Sequence, residues 1–277
     1  MQIYKYEKGA VICLDNKCYS KVVKDWDAFI NRKNLHEALL KDLNGATLLQ
    51  DDTLQEVTMP PIGSQEIWAS GVTYMRSKQA RMEESKKSGG GSFYDLVYDA
   101  ERPELFFKAT PQRTVGNGGT VRIRKDSSWN VPEPELTLFI CSEGSIEGYT
   151  IGNDMSSRSI EGENPLYLPQ AKTYEGCAAL GPCIYVPRRR IDPNTKIRLG
   201  IFREGKAVFS GEIGIDQMKR KHSELVEFLF KECDFPNGCF LMTGTGIVPP
   251  DDFSLAIGDE VHINIDHIGT LVNFVGK

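Results

Sequence analysis

From about residue 65 onward the apolar residues come in short runs. EIWASGV, ELFFKA, ELTLFI, GYTIG, CIYV, KIRLGIF, CFLMTG, EVHINI and GTLVNFV are β-branched or aromatic and are bounded by Gly, Pro or Asp. Each run predicts a strand. Two stretches with helical spacing interrupt them: TYMRSKQARMEESKK, which ends at the glycine-rich SGGGS, and SELVEFLFKE, with Ser223 as its expected cap. The first sixty residues read differently. QIYKY and AVICL are short strands, and DWDAFINRKNLHEALLKDLNG predicts one helix. Phe29, Leu35, Leu39, Leu40 and Leu43 form its apolar face, and NG ends it. MPPIG, Met59 to Gly63, punctuates the chain. The expected organisation is a small N-terminal α/β domain, residues 1–62, and a mainly β domain with long functional loops, residues 63–277. The fold class is therefore α+β, mainly β.

Composition narrows the function. A chain of 277 residues with 40% hydrophobic and 26% charged residues can build an ordinary globular core. Net charge is −5, and the one basic block, Arg188-Arg189-Arg190, is short enough to be a solvated turn. That argues against nucleic acid as a partner. No apolar run approaches the roughly 20 residues of a membrane span, and the amino terminus lacks the apolar region of a signal peptide. The seven cysteines are scattered, odd in number and without a C-x-x-C pair, so all are expected reduced, in a cytoplasmic protein.

The candidate chemistry starts at NVPEPELTLF, where Glu133 and Glu135 flank a proline at the head of a strand. Strand residues two apart share a face, so the two charges repel. Taken alone, the pair reads as a solvated strand edge. Asp154, in GYTIGNDMSSRS, follows another expected strand, and locally it reads as a turn former. Together the three offer an oxygen-only ligand set. Such a set suits a hard cation such as Mg²⁺, which would remove the repulsion. Lys172, in YLPQAKTYEGCAALGP, lies among apolar neighbours. By base rate it is a surface lysine; beside a metal its pKa would fall, making it a proton acceptor.

These stretches in order, SGVTYMRSKQARMEES, RPELFFKATPQRTVG, NVPEPELTLF, GYTIGNDMSSRSIEGENPLYLPQAKTYEGCAALGP and LMTGTGIVPP, resemble the fumarylacetoacetate hydrolase family from about residue 65 to the end. The resemblance implies a mixed β-sandwich or roll that binds one divalent cation, Mg²⁺ first, with Mn²⁺ or Ca²⁺ as alternatives. It implies Glu133, Glu135 and Asp154 as metal ligands and Lys172 in the site. Tyr74, Lys108, Arg158, Thr243, Gly244 and Thr245 fall on family site segments. It also implies a homodimer or homotetramer. Hydrolytic members carry a water-activating His and Glu three residues apart on a lid helix. Here those positions are Ser77 and Ala80, and no His lies between His36 and His222.

Within the family the segments are most similar to the branch that dehydrates 2-keto-3-deoxy-pentonates. The implied reaction is loss of water from a metal-held 2-keto acid, giving 2,5-dioxopentanoate. Lys172 would remove a C3 proton, and Glu84, on the lid helix, is the candidate donor to the leaving hydroxide. Arg76 is the candidate contact to an anionic substrate, with Lys78 and Arg81 near it; solvation is the competing reading for all of them. The glycines at 89 to 91 would form a lid tip or a plain loop. Two alternatives stand: a hydrolase, decarboxylase or dienoate isomerase of the same family, and a non-catalytic metal-dependent sugar-acid-binding protein.

Overall fold

The computed structural model describes residues 1–49, 59–84 and 91–277, without the side chains of 84 and 91–94. Two sheets dominate the described residues. A mixed sheet of eleven strands runs from the amino-terminal hairpins through Ala178–Tyr185, Ile146–Asp154, Pro134–Ile140 and Cys239–Met242 to Glu66–Gly71 and Glu104–Ala109. A five-stranded sheet carries Lys196–Arg203, Lys206–Gly214, Glu260–Ile265, Gly269–Gly276 and Thr120–Arg122. Every strand expected from residue 65 onward is present. The strand Lys206–Gly214 was not expected; its two glycines and the exposed Ala207 and Val208 hide the alternation.

Alternation along Pro134–Ile140 divides the core. Leu136, Leu138 and Ile140 pack towards the second sheet with Ile197, Leu199, Ile201, Val261 and Ile263. Phe139 faces the other way, with Phe240, Met242, Trp26, Phe29 and Leu39. This strand is central, paired on both sides, so nearly everything on it is buried. The amino-terminal strands extend the same sheet, Gln2–Tyr6 pairing antiparallel with Ala178–Tyr185.

Three expectations need correction here. The single amino-terminal helix is two, Trp26–Ile30 and Leu35–Asp42, because Asn34 adopts a left-handed φ of 54° that interrupts helical hydrogen bonding. The helix His222–Phe230 starts one residue before Ser223; its cap is Lys221, whose N–H donates to the Glu224 carboxylate at 3.4 Å. Cys13 and Cys18 are not reduced but joined by a disulfide. They sit directly opposite each other across a hairpin whose two-residue turn is Asp15 and Asn16, both at positive φ. Opposed strand positions bring Cβ atoms within bridging distance, which a search for C-x-x-C does not detect. The thiol argument for a reducing compartment therefore fails. The remaining cysteines are free, four of them buried and Cys233 exposed.

Candidate metal centre and active site

The acidic trio is assembled by strand pairing. Pro134–Ile140 pairs antiparallel with Ile146–Asp154, Glu135 opposite Gly152. One step further, Glu133 and Asp154 exchange backbone hydrogen bonds of 3.2 and 3.0 Å. In this register Glu133, Glu135 and Asp154 share the face opposite Leu136 and Ile151. Their carboxylate oxygens lie within 4.8 Å of one another, and all three residues are buried. The solvated edge and the turn former, the local readings, are thus both replaced by a buried cluster at the ends of two central strands. Opposite Glu135 only a glycine fits: a Cβ on Gly152 would stand 2.3 Å from the Thr137 hydroxyl.

Cations surround two of the three carboxylates. Lys172, fully buried at the end of the helix Leu168–Lys172, places Nζ 2.5 Å from Glu133 Oε2 and 3.1 Å from Asp154 Oδ2. Lys108 Nζ is 2.6 Å from Asp154 Oδ1. Lys108 owes its direction to a bulge: Ile67 pairs with Ala109 and Trp68 with Phe107, leaving Lys108 as the extra residue. Arg158 reaches Glu133 Oε1 at 2.7 Å. Asp154 feels burial pushing its pKa up, but Lys108 and Lys172 outweigh it and hold the group below the ordinary value.

Glu135 is different. Among the described residues its partner is the backbone N–H of Gly244, at 2.6 Å. Burial, with Asp154 and Glu133 adding to it, pushes its pKa well above the usual range. A carboxylate in that position lacks a cation, and the donor set around it is all oxygen. The site therefore fits a hard divalent ion held by Glu133, Glu135 and Asp154.

Two more carboxylates join the cluster, and sequence reasoning passed over both. Glu161, on the helix Arg158–Glu163, is buried and takes Arg158 at 3.1 Å, Arg81 at 3.2 Å and Lys172 at 3.5 Å. Burial opposes its ionisation, yet Arg81, Lys172 and Arg158 draw its pKa down to about 2. The one local signal was its three-residue spacing from Arg158. Glu104, at the start of Glu104–Ala109, has a buried Oε2 with no hydrogen-bond partner. Burial raises its pKa, partly countered by Arg81, while the charges of Glu161, Lys172 and Glu133 also reach it. Nothing in ELFFKA marks its first residue as special.

Lys172 lies in the site, as the resemblance implied. Burial alone would lower its pKa, but Asp154, Glu133 and Glu161 outweigh burial and raise it. It is not a surface lysine: its Nζ sits between Glu133 and Asp154, inside the cluster.

The other candidates divide. Tyr74 is buried, its hydroxyl unpartnered, its pKa raised by burial and then by Glu135. Thr243 is engaged with the backbone, its hydroxyl donating to Leu136 O at 2.8 Å. Thr245 closes a local turn with Ile247 at 3.2 Å. Both position the loop that presents Gly244 N–H. Arg76 pairs with Glu83 at 3.8 Å, away from the carboxylates, whereas Arg81 on the same helix enters the cluster. Lys78 pairs with Asp95 at 2.7 Å. The side chain of Glu84 and the glycines 89 and 90 lie outside the described residues; Gly91 opens the helix Gly91–Asp99, which the sequence reading did not expect. Ser77 donates to Tyr74 O at 2.8 Å and accepts from Tyr74 N at 3.2 Å, and Ala80 is buried. Neither can activate water.

A buried trio of carboxylates on paired strands, met by Arg81, Arg158 and Lys172 from three helices, defines a candidate centre for a metal-dependent enzyme. The chain belongs to the fumarylacetoacetate hydrolase family: residues 67–276 match the fumarylacetoacetate (FAA) hydrolase C-terminal domain. A "Probable 2-keto-3-deoxyxylonate dehydratase" of Haloferax volcanii is 44% identical over 249 residues, 90% of this chain and 85% of that protein. A "2-dehydro-3-deoxy-D-arabinonate dehydratase" of Saccharolobus solfataricus is 40% identical over 271 residues, 95% of this chain and 91% of that protein. Among solved structures, a 2-keto-3-deoxy-D-arabinonate dehydratase complexed with magnesium and 2,5-dioxopentanoate superposes with a TM-score of 0.81. It is 37% identical, over 100% of this chain and 99% of that one. No described helix is long and apolar enough to cross a membrane.

Proposed function

We propose that this protein is a Mg²⁺-dependent hydro-lyase that converts a 2-keto-3-deoxy-pentonate into 2,5-dioxopentanoate and water. The observation that carries the reading is the oxygen-only trio in which Glu135, among the described residues, has no cationic partner of its own. The similarity to two dehydratases at 40–44% identity supports the substrate class. Bound by Glu133, Glu135 and Asp154, the metal would polarise the 2-keto group and so acidify the C3 protons.

The chain's own residues then divide the work. Glu104 takes the C3 proton: its Oε2 is buried without a hydrogen-bond partner among the described residues, and a raised pKa makes it a stronger base. The C4 hydroxyl departs with that proton as water, and tautomerisation leaves the aldehyde at C5. Lys172 and Arg158 hold Glu133 and Asp154 in place rather than moving protons. Elimination needs no attacking water, which accords with Ser77 and Ala80 where hydrolytic relatives carry a base. The exposed apolar side chains Val22, Leu96 and Leu166 support a homo-oligomer, dimer or tetramer, to be checked by light scattering.

Turnover with Mg²⁺ and a panel of 2-keto-3-deoxy acids tests the reading. The expected product is an aldehyde, followed by a coupled aldehyde dehydrogenase or as the loss of one water by mass. Efficient acylpyruvate cleavage with no aldehyde from any 2-keto-3-deoxy acid would overturn it.

A further inference from the structure

The Arg188-Arg189-Arg190 block does not lie near the carboxylate cluster. It lines a cavity of about 600 Å³ together with His36 and Ser223. Tyr149 and Ile146 line it too, and Ile146 opens the strand that ends at Asp154. From Tyr149, the lining residue nearer the metal centre, five residue steps along that strand reach Asp154, roughly 17 Å away.

The cavity is electrically unbalanced. Among the described residues none of the three arginines forms an ion pair. Two carboxylates, Glu37 and Glu147, share the lining with the three arginines. Glu147 accepts from Leu35 N–H at 2.8 Å and from the Ser145 hydroxyl at 2.5 Å; Glu37 stands 3.7 Å from His36 Nδ1. The excess positive charge is felt by its neighbours. Burial, then Arg190, lower the pKa of His222; burial, then the amino terminus, lower that of His36, with Glu37 opposing and Arg188 adding a smaller push. The helix His222–Phe230 begins at this wall, with Ser223 in its first turn, where backbone N–H groups have no intrahelical acceptors.

A second cavity, about 270 Å³, adjoins the first and shares Ile146, Tyr149, Arg190 and Ser223 with it. Tyr149, Ile191, Ile215, Met218 and His222 form its apolar and aromatic wall, and Asp216, Arg220 and Lys221 its charged one. The Tyr149 and His222 rings lie 6.3 Å apart. One compartment carries the three arginines, and its neighbour adds a wall of rings and aliphatic groups beside Asp216, Arg220 and Lys221. That combination matches a molecule with a phosphate at one end and a flat ring at the other, and the joint volume is in the range of small-molecule sites.

We infer that this cleft binds a mononucleotide-like organic phosphate, with the phosphate on Arg188–Arg190 and the first turn of His222–Phe230, and the ring beside Tyr149 and His222. The site is distinct from the catalytic cluster and independent of the reaction assigned to it.

Isothermal titration calorimetry of the full chain with AMP, adenosine and inorganic phosphate tests the inference. AMP is expected to bind with a Kd between about 10 μM and 1 mM. Adenosine and phosphate are each expected at least ~10-fold weaker, since each lacks one half of the recognised chemistry. The double substitution Arg188→Ala, Arg190→Ala changes exposed residues only, and should weaken AMP at least ~10-fold while leaving turnover unchanged. Absence of AMP binding, equal affinity in the double variant, or adenosine or phosphate binding as tightly as AMP would each overturn it.

Discussion

Arg81 Nη1, on the helix Met75–Glu84, lies 3.2 Å from Glu161 Oε2, on the helix Arg158–Glu163, and both side chains are buried. The contact ties a helix outside the sheet to the acid that also receives Arg158 and Lys172. Removing that one negative charge would take from Arg81, Arg158 and Lys172 a buried carboxylate they share. Glu161→Gln should therefore destabilise the fold by about 3–5 kcal/mol, the usual cost of breaking a buried pair from one side. Urea denaturation of the variant measures this; a midpoint equal to that of the wild type would show that the network contributes nothing.

Glu135→Gln should lose divalent-ion affinity and turnover together while the fold survives. The substitution keeps the shape and the Gly244 contact but removes the charge that has no cation partner. Calorimetric titration with Mg²⁺ is the check, and unchanged affinity would remove Glu135 from the ligand set.

The two candidate bases separate by isotope exchange. Glu104→Gln should slow solvent-deuterium exchange into pyruvate by ~10²–10⁴-fold with metal affinity retained, the range expected for losing a general base. Lys172→Met should instead weaken metal binding, because Glu133 and Asp154 lose the ammonium that sets their spacing. Normal exchange in Glu104→Gln, paired with abolished exchange and intact metal binding in Lys172→Met, would return the role of base to the lysine.

Gly244→Ala should lower both stability and metal affinity. Gly244 has a φ of 93°, and a Cβ there would stand 2.1 Å from the Thr73 hydroxyl and 2.9 Å from Ser70 O. Relief would move the N–H that holds Glu135. An overpacked, strained position typically costs about 1–3 kcal/mol. Thermal melts and Mg²⁺ titration of the same preparation test both halves, and a wild-type melting temperature would contradict the packing argument.

His222 gives a pH dependence to stability. Burial, then Arg190, brings its folded pKa down to about 4, from 6.5. Above pH 6.5 the ring is neutral in both folded and unfolded chains and its contribution is complete. As pH falls from there through 4, the unfolded chain takes up the proton first and stability is lost. The loss at pH 5 should be about 2 kcal/mol, and His222→Gln should flatten the profile between pH 6.5 and 4. Denaturation midpoints at pH 7 and pH 5 measure the difference; parallel profiles for variant and wild type would refute it.

Much of this protein was legible in its sequence. Short-range alternation located ELTLFI, EVHINI and GTLVNFV as strands, since a strand's two-residue period depends on neighbours alone. The spacing of Glu133 and Glu135 put them on one face for the same reason, and ordered segment similarity identified the family. The fate of each charge was a different matter. Whether Lys172 ends on the surface or inside the cluster depends on Glu133, Asp154 and Glu161, carried by other segments. Glu104 and Glu161 became site residues only through packing against Arg81 and Lys172, and Lys108 reached Asp154 only through a bulge. The Cys13–Cys18 bridge followed from hairpin register, and the break at Asn34 from a left-handed residue. Secondary structure follows from local sterics and periodicity, which sequence records directly. Burial and the charge state of an ionisable group are set by desolvation and by charges a few ångströms away in space, and those are fixed only when distant segments pack together.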